Sequence, residues 1–342
     1  MFEFIKRERI YVLLLFFILA INVMSIGRVD ESRHKEIGDT LSTSSFEEIG
    51  ITKEKVKDFF ASEKFSAKFF KYAIVLGLFI FLISFLVNLG FIFLGKKISF
   101  KSKASKRDVS WGIMDLVKVV IIIIFTSYLI GMLEGLIFKV FHLDIGLNLR
   151  MMFNTFFIDI SAAIVIFYFV AVKYREKLHI LGLRFGSFFR NIISGITVYI
   201  FMLPVLLVIL LLSIAFLNLL GYSPPSQPVF EVFMEEKRSQ VLLFLTIFVS
   251  IFGPVTEEIF FRGFMYSAIK KHVGVLGAAV LSASIFSILH TNIVGFLPIM
   301  ILGILLAYLY EATGSLVASI TVHIVHNSII VGFVFFIKEL MK

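Results

Sequence analysis

Long apolar runs recur along this chain, and runs of that length leave few folds open. Nine can be traced: Ile10 to Ile26, Tyr72 to Leu94, Ile113 to Val140, Met152 to Val172, Ile192 to Leu220, Val241 to Lys270, Val273 to Thr291, Phe296 to Tyr310 and Leu316 to Ile337. A helix needs roughly 20 mostly apolar residues to cross the hydrocarbon core of a bilayer, and several of these runs reach that length. The runs are continuous rather than alternating, which argues against a transmembrane β-barrel. The chain is 59% hydrophobic and holds 42 Phe, against about half apolar for soluble domains. The expected class is therefore all-α, a polytopic integral membrane bundle of about eight or nine transmembrane helices. Cysteine is absent, which excludes a disulfide framework, a thiolate metal site and a thiol nucleophile.

The charge follows the runs. A net charge of +9 would suit nucleic acid, but its distribution suits membrane orientation. Lys6, Arg7 and Arg9 precede the first run. Lys96 to Arg107 holds basic residues and no acid, and Lys173 to Arg190 holds Lys173, Arg175, Lys177, Arg184 and Arg190 against Glu176 alone. Basic residues concentrate in cytoplasmic loops, so these three segments are placed inside and no nucleic-acid partner is invoked. The polar stretch 27–68 has mixed charge and is placed outside, as is Gly221 to Gln240 with Pro224, Pro225 and Pro228. No small-x-small site follows Ile26, so the first run reads as a signal anchor rather than a cleaved leader. Leu178, Ile180, Leu181 and Leu183 make Lys173 to Arg190 a candidate amphipathic segment on the membrane surface.

Against this background Gly253-Pro254-Val255-Thr256-Glu257-Glu258-Ile259-Phe260-Phe261-Arg262-Gly263 is anomalous. Ionisable groups at membrane depth are costly, face a bundle interior or a wet cavity, and mark function. Pro254 should kink the helix just before them. Glu258 and Arg262 are four apart, so they share a helix face and can pair. Glu257 then points about 100° away, free to act as a general base toward water. His290 closes a later run; His323 and Asn327, again four apart, lie on the last one. An imidazole and an amide there could donate to the oxyanion of a tetrahedral intermediate. No serine elbow and no zincin H-E-x-x-H helix is present. Counted from the inner helix ends at about 1.5 Å per residue, these groups differ in depth, and meet only if the helices tilt or kink.

The order Glu-Glu-x-x-x-Arg at 257–262, Phe-x-x-x-His at 286–290 and His-x-x-x-Asn at 323–327, with the lead-in Thr313 to Ile320, resembles the three motifs of the CPBP family. That family contains the type II CAAX prenyl endopeptidases and the bacterial Abi-type proteins. The resemblance covers roughly Trp111 onward, so residues 111–342 are expected to form the protease core. Residues 1–110, with two spans and the outer loop, read as an N-terminal extension. The resemblance implies intramembrane proteolysis with Glu257, His290, His323 and Asn327 as the catalytic set and Glu258 and Arg262 in support. It implies a membrane-anchored peptide or protein substrate, possibly of the lipidated CAAX type, a bacterial cell-membrane location, and an N-terminus and active-site opening on the cytoplasmic side. The family is labelled both as metalloprotease and as metal-independent glutamate protease. No closely spaced ligand pair supports zinc, so no cofactor is expected; a bound zinc would take Glu257, His290 and His323. A non-catalytic scaffold or bacteriocin self-immunity protein, or an ion-coupled transporter, are the rival functions. His326 is a neighbour of the site, and Lys118, Glu134 and Asp159 are given no role.

Overall fold

A computed structural model describes residues 8–26, 51–94, 108–142, 145–222 and 227–341. Lys6, Arg7, most of the outer loop before Ile51, the basic loop Lys96 to Arg107, Pro224 and Pro225 therefore lie outside the described residues. The described chain is an all-α bundle. Its helices are α1 (Arg9–Ile26), α2 (Lys53–Ala61), α3 (Phe65–Phe93), α4 (Ile113–Phe141), α5 (Leu147–Phe167), α6 (Phe188–Leu219), α7 (Pro228–Glu235), α8 (Ser239–Leu289), α9 (Phe296–Thr313) and α10 (Leu316–Leu340). Among the described residues seven helices are long and apolar enough to cross a membrane: α3, α4, α5 with its continuation to Lys173, α6, α8, α9 and α10.

The nine apolar runs and the seven long helices differ for two physical reasons. The first run gives α1, whose apolar stretch Arg9–Val23 is short. The sixth and seventh runs form two helical arms, written together as α8 over Ser239–Leu289. Within it the chain reverses at Gly274, whose φ of 72° and ψ of −175° are not helical. Only glycine adopts that φ cheaply. Pro254, by contrast, does not break the helix. A π turn, Phe248–Phe252, precedes Gly253–Glu258 and another, Ile259–Tyr266, follows it. Such wide turns absorb a missing backbone donor and recur at functional sites.

Local signals set the helix ends. Thr52 caps α2 by accepting from Lys55 N at 3.2 Å, and Ser315 caps α10 by accepting from Val317 N at 3.2 Å. Gly314 ends α9 in the left-handed region at φ 68°. The segment after α5 departs from the amphipathic surface helix that its leucines suggest. It forms a short 3₁₀ turn, Leu178–Leu181. Leu181 is fully buried there, its carbonyl accepts from Tyr310 Oη at 3.1 Å, and Gly182 O accepts from Leu316 N at 2.9 Å. The turn thus plugs the end of α9 and the start of α10, because its backbone groups find partners there.

The two longer helices nearest the N-terminus, α1 and α3, dock separately. α1 lies on α4, where Lys118 pairs with Glu8 at 2.7 Å and Asn22 Nδ2 donates to Tyr128 Oη at 2.7 Å. α3 lies on α6, where Ser84 Oγ donates to Ile200 O at 2.7 Å and Asn88 Nδ2 to Phe201 O at 2.8 Å. Pro204 in α6 has no N–H for the carbonyl four residues back, and Ser84 supplies that donor. Trp111 is fully buried, stacks on Phe264 at 5.1 Å and donates from Nε1 to Phe264 O at 3.0 Å. At the other end α2, α7 and the end of α10 share one apolar cluster around Ile51, Ile337 and Leu340.

Candidate active site

The polar centre lies where α8, α9 and α10 cross. Two close approaches allow it. A Cβ on Gly195 of α6 would stand 2.7 Å from Ala318 O of α10, and one on Gly303 of α9 would stand 2.9 Å from Ala283 Cβ of α8. Small residues let transmembrane helices come this near.

Arg262 is buried completely. Its Nη1 donates to Glu258 Oε1 at 2.6 Å, four residues back, and its Nη2 donates to Gly303 O at 3.2 Å. Its guanidinium carbon stands 4.5 Å from the centre of the Phe286 ring, a cation–π contact strengthened by the absence of water. Glu258 is equally buried and takes a second partner, His323 Nδ1, at 3.1 Å. A carboxylate already accepting from arginine accepts here too, so His323 Nδ1 carries a proton. That turns His323 Nε2 toward Glu257, 3.7 Å from Oε2. Glu257 is the more exposed of the two glutamates, its side chain 28% accessible against none for Glu258. Its Oε2 is buried and has no hydrogen-bond partner among the described residues. The division expected from helix spacing is thus realised: Glu258 is held by Arg262, and Glu257 points elsewhere.

His290 stands at the end of α8 and is exposed, and its Nδ1 lies 2.7 Å from Phe286 O. The Phe286 ring packs against His290 at 4.5 Å and against His323 at 5.6 Å. The phenylalanine of the Phe-x-x-x-His spacing is therefore the common wall of Arg262, His290 and His323. Asn327 Nδ2 donates to Val249 O at 2.9 Å, in the first π turn of α8. His326 pairs through Nδ1 with Tyr199 Oη at 2.9 Å.

Of the six residues singled out in the sequence, Glu257, Glu258, Arg262 and His323 form one connected cluster. His290 joins it across Phe286, and Asn327 lies one turn beyond His323. A metal fits this arrangement poorly. Among the described residues no three His, Asp or Glu side chains are grouped to hold an ion. Glu257, His290 and His323 form no such group.

Spacing alone overlooks some contributors. The Gly303 and Val249 carbonyls carry no side-chain signal. Asp159 of α5 does: it is an acid inside an apolar run, and it faces Thr256 and Glu257.

Comparison with known proteins agrees with the motif order. Residues 239–329 match the family model described as "Type II CAAX prenyl endopeptidase Rce1-like". The chain is 29% identical over 110 residues to "Putative membrane peptidase YdiL" of Bacillus subtilis (strain 168), a match covering 30% of this chain and 45% of that protein. The aligned part is thus less than half of that relative's length. No solved structure matches. The stretch similar to that family model contains Glu257, Glu258, Arg262, His290, His323 and Asn327.

Proposed function

We propose that this protein is an intramembrane endopeptidase that hydrolyses peptide bonds of membrane-anchored substrates by activating water. One observation carries the reading: an unpartnered Glu257 oxygen lies 3.7 Å from His323 Nε2, inside a membrane-spanning helix.

In this reading Glu257 takes a proton from water. The hydroxide attacks the carbonyl carbon of the scissile bond, and the carbonyl electrons move to oxygen. His323 and Asn327 hold that oxyanion. Asn327 has two amide protons, one given to Val249 O and one left for the substrate. The His323 ring donates from Nε2 only when both its nitrogens are protonated, and Glu258 and Glu257 are the acceptors such a ring calls for. The tetrahedral intermediate collapses as the amine leaves with the proton that Glu257 held. His290, on the exposed side of Phe286, assists with water or leaving group. Glu258 and Arg262 hold His323 and α9 in place. No step is routed through a metal.

The substrate class rests on the family resemblance and on location. A site bounded by lipid-facing helices suits a peptide already tethered to the bilayer, of the lipidated CAAX type or a transmembrane one. The resemblance favours a bacterial cell membrane, and the loop charges favour an N-terminus and an opening of the site toward the cytoplasm.

The test is Glu257→Gln in purified protein with a membrane-anchored reporter peptide. Cleavage should fall by a factor of about 10³ or more while the thermal midpoint in detergent stays unchanged. Undiminished cleavage by a folded Glu257→Gln protein would overturn the proposal.

A further inference from the structure

α10 carries His323 and Asn327, the two proposed oxyanion groups, so the rotation of α10 about its own axis sets where both of them point. Three side chains in the middle of this helix reach other helices through polar contacts. His323 Nδ1 meets Glu258 Oε1 at 3.1 Å and Asn327 Nδ2 donates to Val249 O at 2.9 Å, both partners lying on α8. The third is His326, whose Nδ1 lies 2.9 Å from the Tyr199 hydroxyl of α6. The two rings stand edge to face with their centres 5.9 Å apart. The proposed chemistry uses the first two side chains and leaves the third without a task.

A helix of about 3.6 residues per turn puts Ala318, Val322 and His326 along one ridge, and His323 and Asn327 on the next, about 100° around. The first ridge faces α6. A Cβ on Gly195 would stand 2.7 Å from Ala318 O and 3.4 Å from Val322 Cγ2. Tyr199, one turn after Gly195, is buried in the same apolar cluster as Ala318 and Val322. Small residues let two membrane helices approach closely, but apolar contact has no direction and holds the rotation of a helix loosely. A hydrogen bond is directional. Tyr199 and His326 supply such a bond on this ridge. It falls at the depth of the working pair, since His326 lies between His323 and Asn327 in sequence. Without it, the rotation of α10 at that depth would hang on His323 and Asn327 themselves, the groups that must also receive the substrate. A misplacement of about 1 Å among reacting groups costs on the order of 10²-fold in rate, so a tie that stands outside the chemistry has a use.

We propose that Tyr199 is a positioning residue: its hydroxyl, bonded to His326, fixes the rotation of α10 and so aims His323 and Asn327 at the oxyanion. The inference rests on the peptidase reading above.

The experiment measures kcat, KM, folded fraction and thermal midpoint for the full-length protein in detergent, on one membrane-anchored reporter peptide. Tyr199→Phe keeps the ring and removes the hydroxyl. His326→Leu removes its partner, whereas His326→Asn keeps a hydrogen-bonding group near the place of Nδ1. Tyr199→Phe and His326→Leu should each lower kcat on the order of tenfold, with KM within about twofold and the thermal midpoint scarcely moved. The two together should lose no more than either alone, because they break the same bond. His326→Asn should recover most of the loss. The inference is overturned if Tyr199→Phe matches the unaltered protein, if its loss merely tracks folded fraction, or if the two losses multiply. It is overturned as well if His326→Asn is as impaired as His326→Leu, since the imidazole itself then takes part in the chemistry. Glu257→Gln separates the two levels. If it cleaves normally, the peptidase reading itself fails; if it is inactive while Tyr199→Phe is normal, only the positioning role fails.

Discussion

Arg262 has no water to fall back on, so its partners are its solvation. Glu258, Gly303 O and the face of Phe286 supply it. Removing one member of a buried ion pair leaves the other charge uncompensated, at a cost of about 3–5 kcal/mol. Arg262→Ala should therefore lower stability by that order, read as a depressed thermal midpoint in detergent. Arg262→Lys keeps the charge but loses the planar fork that reaches Glu258 and Gly303 together, and should fall between. Equal stability of Arg262→Ala and the unaltered protein would show that the pair is not the anchor described. Asn327 has a different signature. Asn327→Ala deletes an oxyanion donor in the proposed chemistry, and such deletions cost on the order of 10²–10³ in kcat. Its loss to Val249 O is one interhelical hydrogen bond, worth about 0.6 kcal/mol in membrane bundles. A large kcat loss with a small stability change is thus expected; the reverse ratio would mark Asn327 as a helix tie only.

At the level of elements, α6 shows how a weak point becomes a docking point. Pro204 strips a donor from the helix, and the freed region accepts from Ser84 and Asn88 of α3. α3 otherwise presents large apolar side chains outward, which lipid covers as well as protein would. Its attachment should therefore depend on these polar contacts. Ser84→Ala with Asn88→Ala should loosen α3 from α6 by about 1–2 kcal/mol, each contact contributing roughly 0.6–1. The check is the rate of disulfide cross-linking between single cysteines placed on facing positions of α3 and α6, a clean assay because the chain has no native cysteine. Gly195 marks a second such joint. Gly195→Val pushes a branched side chain into Ala318 O, where even a Cβ would lie at 2.7 Å. It should separate α6 from α10 and destabilise by about 1–3 kcal/mol or more.

Across the whole molecule, helix directions agree on a single topology. Thr52, the cap of α2, and the joint between α7 and α8 lie toward one end, with the C-terminus of α10. The turn Leu178–Leu181 and the start of α10 lie at the other. We propose, from the loop charges, that the second end faces the cytoplasm. Single cysteines at Thr52 and at Ser105 test this: an impermeant thiol reagent added to intact cells should label the first and not the second, and the opposite pattern would invert the orientation. Between α7 and α8, Glu236 accepts from the Arg238 side chain at 2.7–2.8 Å and from backbone N–H groups. The Arg238 guanidinium holds the Glu236 carboxyl down at about 2. A carboxyl so depressed stabilises the fold above its ordinary value of about 4.3, and that contribution fades as pH falls toward 2.

Much of this was legible one residue at a time. Apolar length alone dictates spanning helices, because an unpaired peptide group in hydrocarbon has no other partner. The four-residue step from Glu258 to Arg262 dictates their pairing, since a helix has a fixed pitch. The same pitch separates Glu257 from Glu258, and the mid-run acids announce themselves by the cost of burying charge. Contacts between helices distant in sequence were not legible, because they depend on which faces meet. That His323 bridges two glutamates, that Phe286 walls three polar groups, that Asp159 lies by Thr256 and Glu257, and that π turns flank Pro254 in place of a break were all decided by tertiary packing. Periodicity states where a side chain points around its own axis; only the crossing of α5, α8, α9 and α10 determines what it points at.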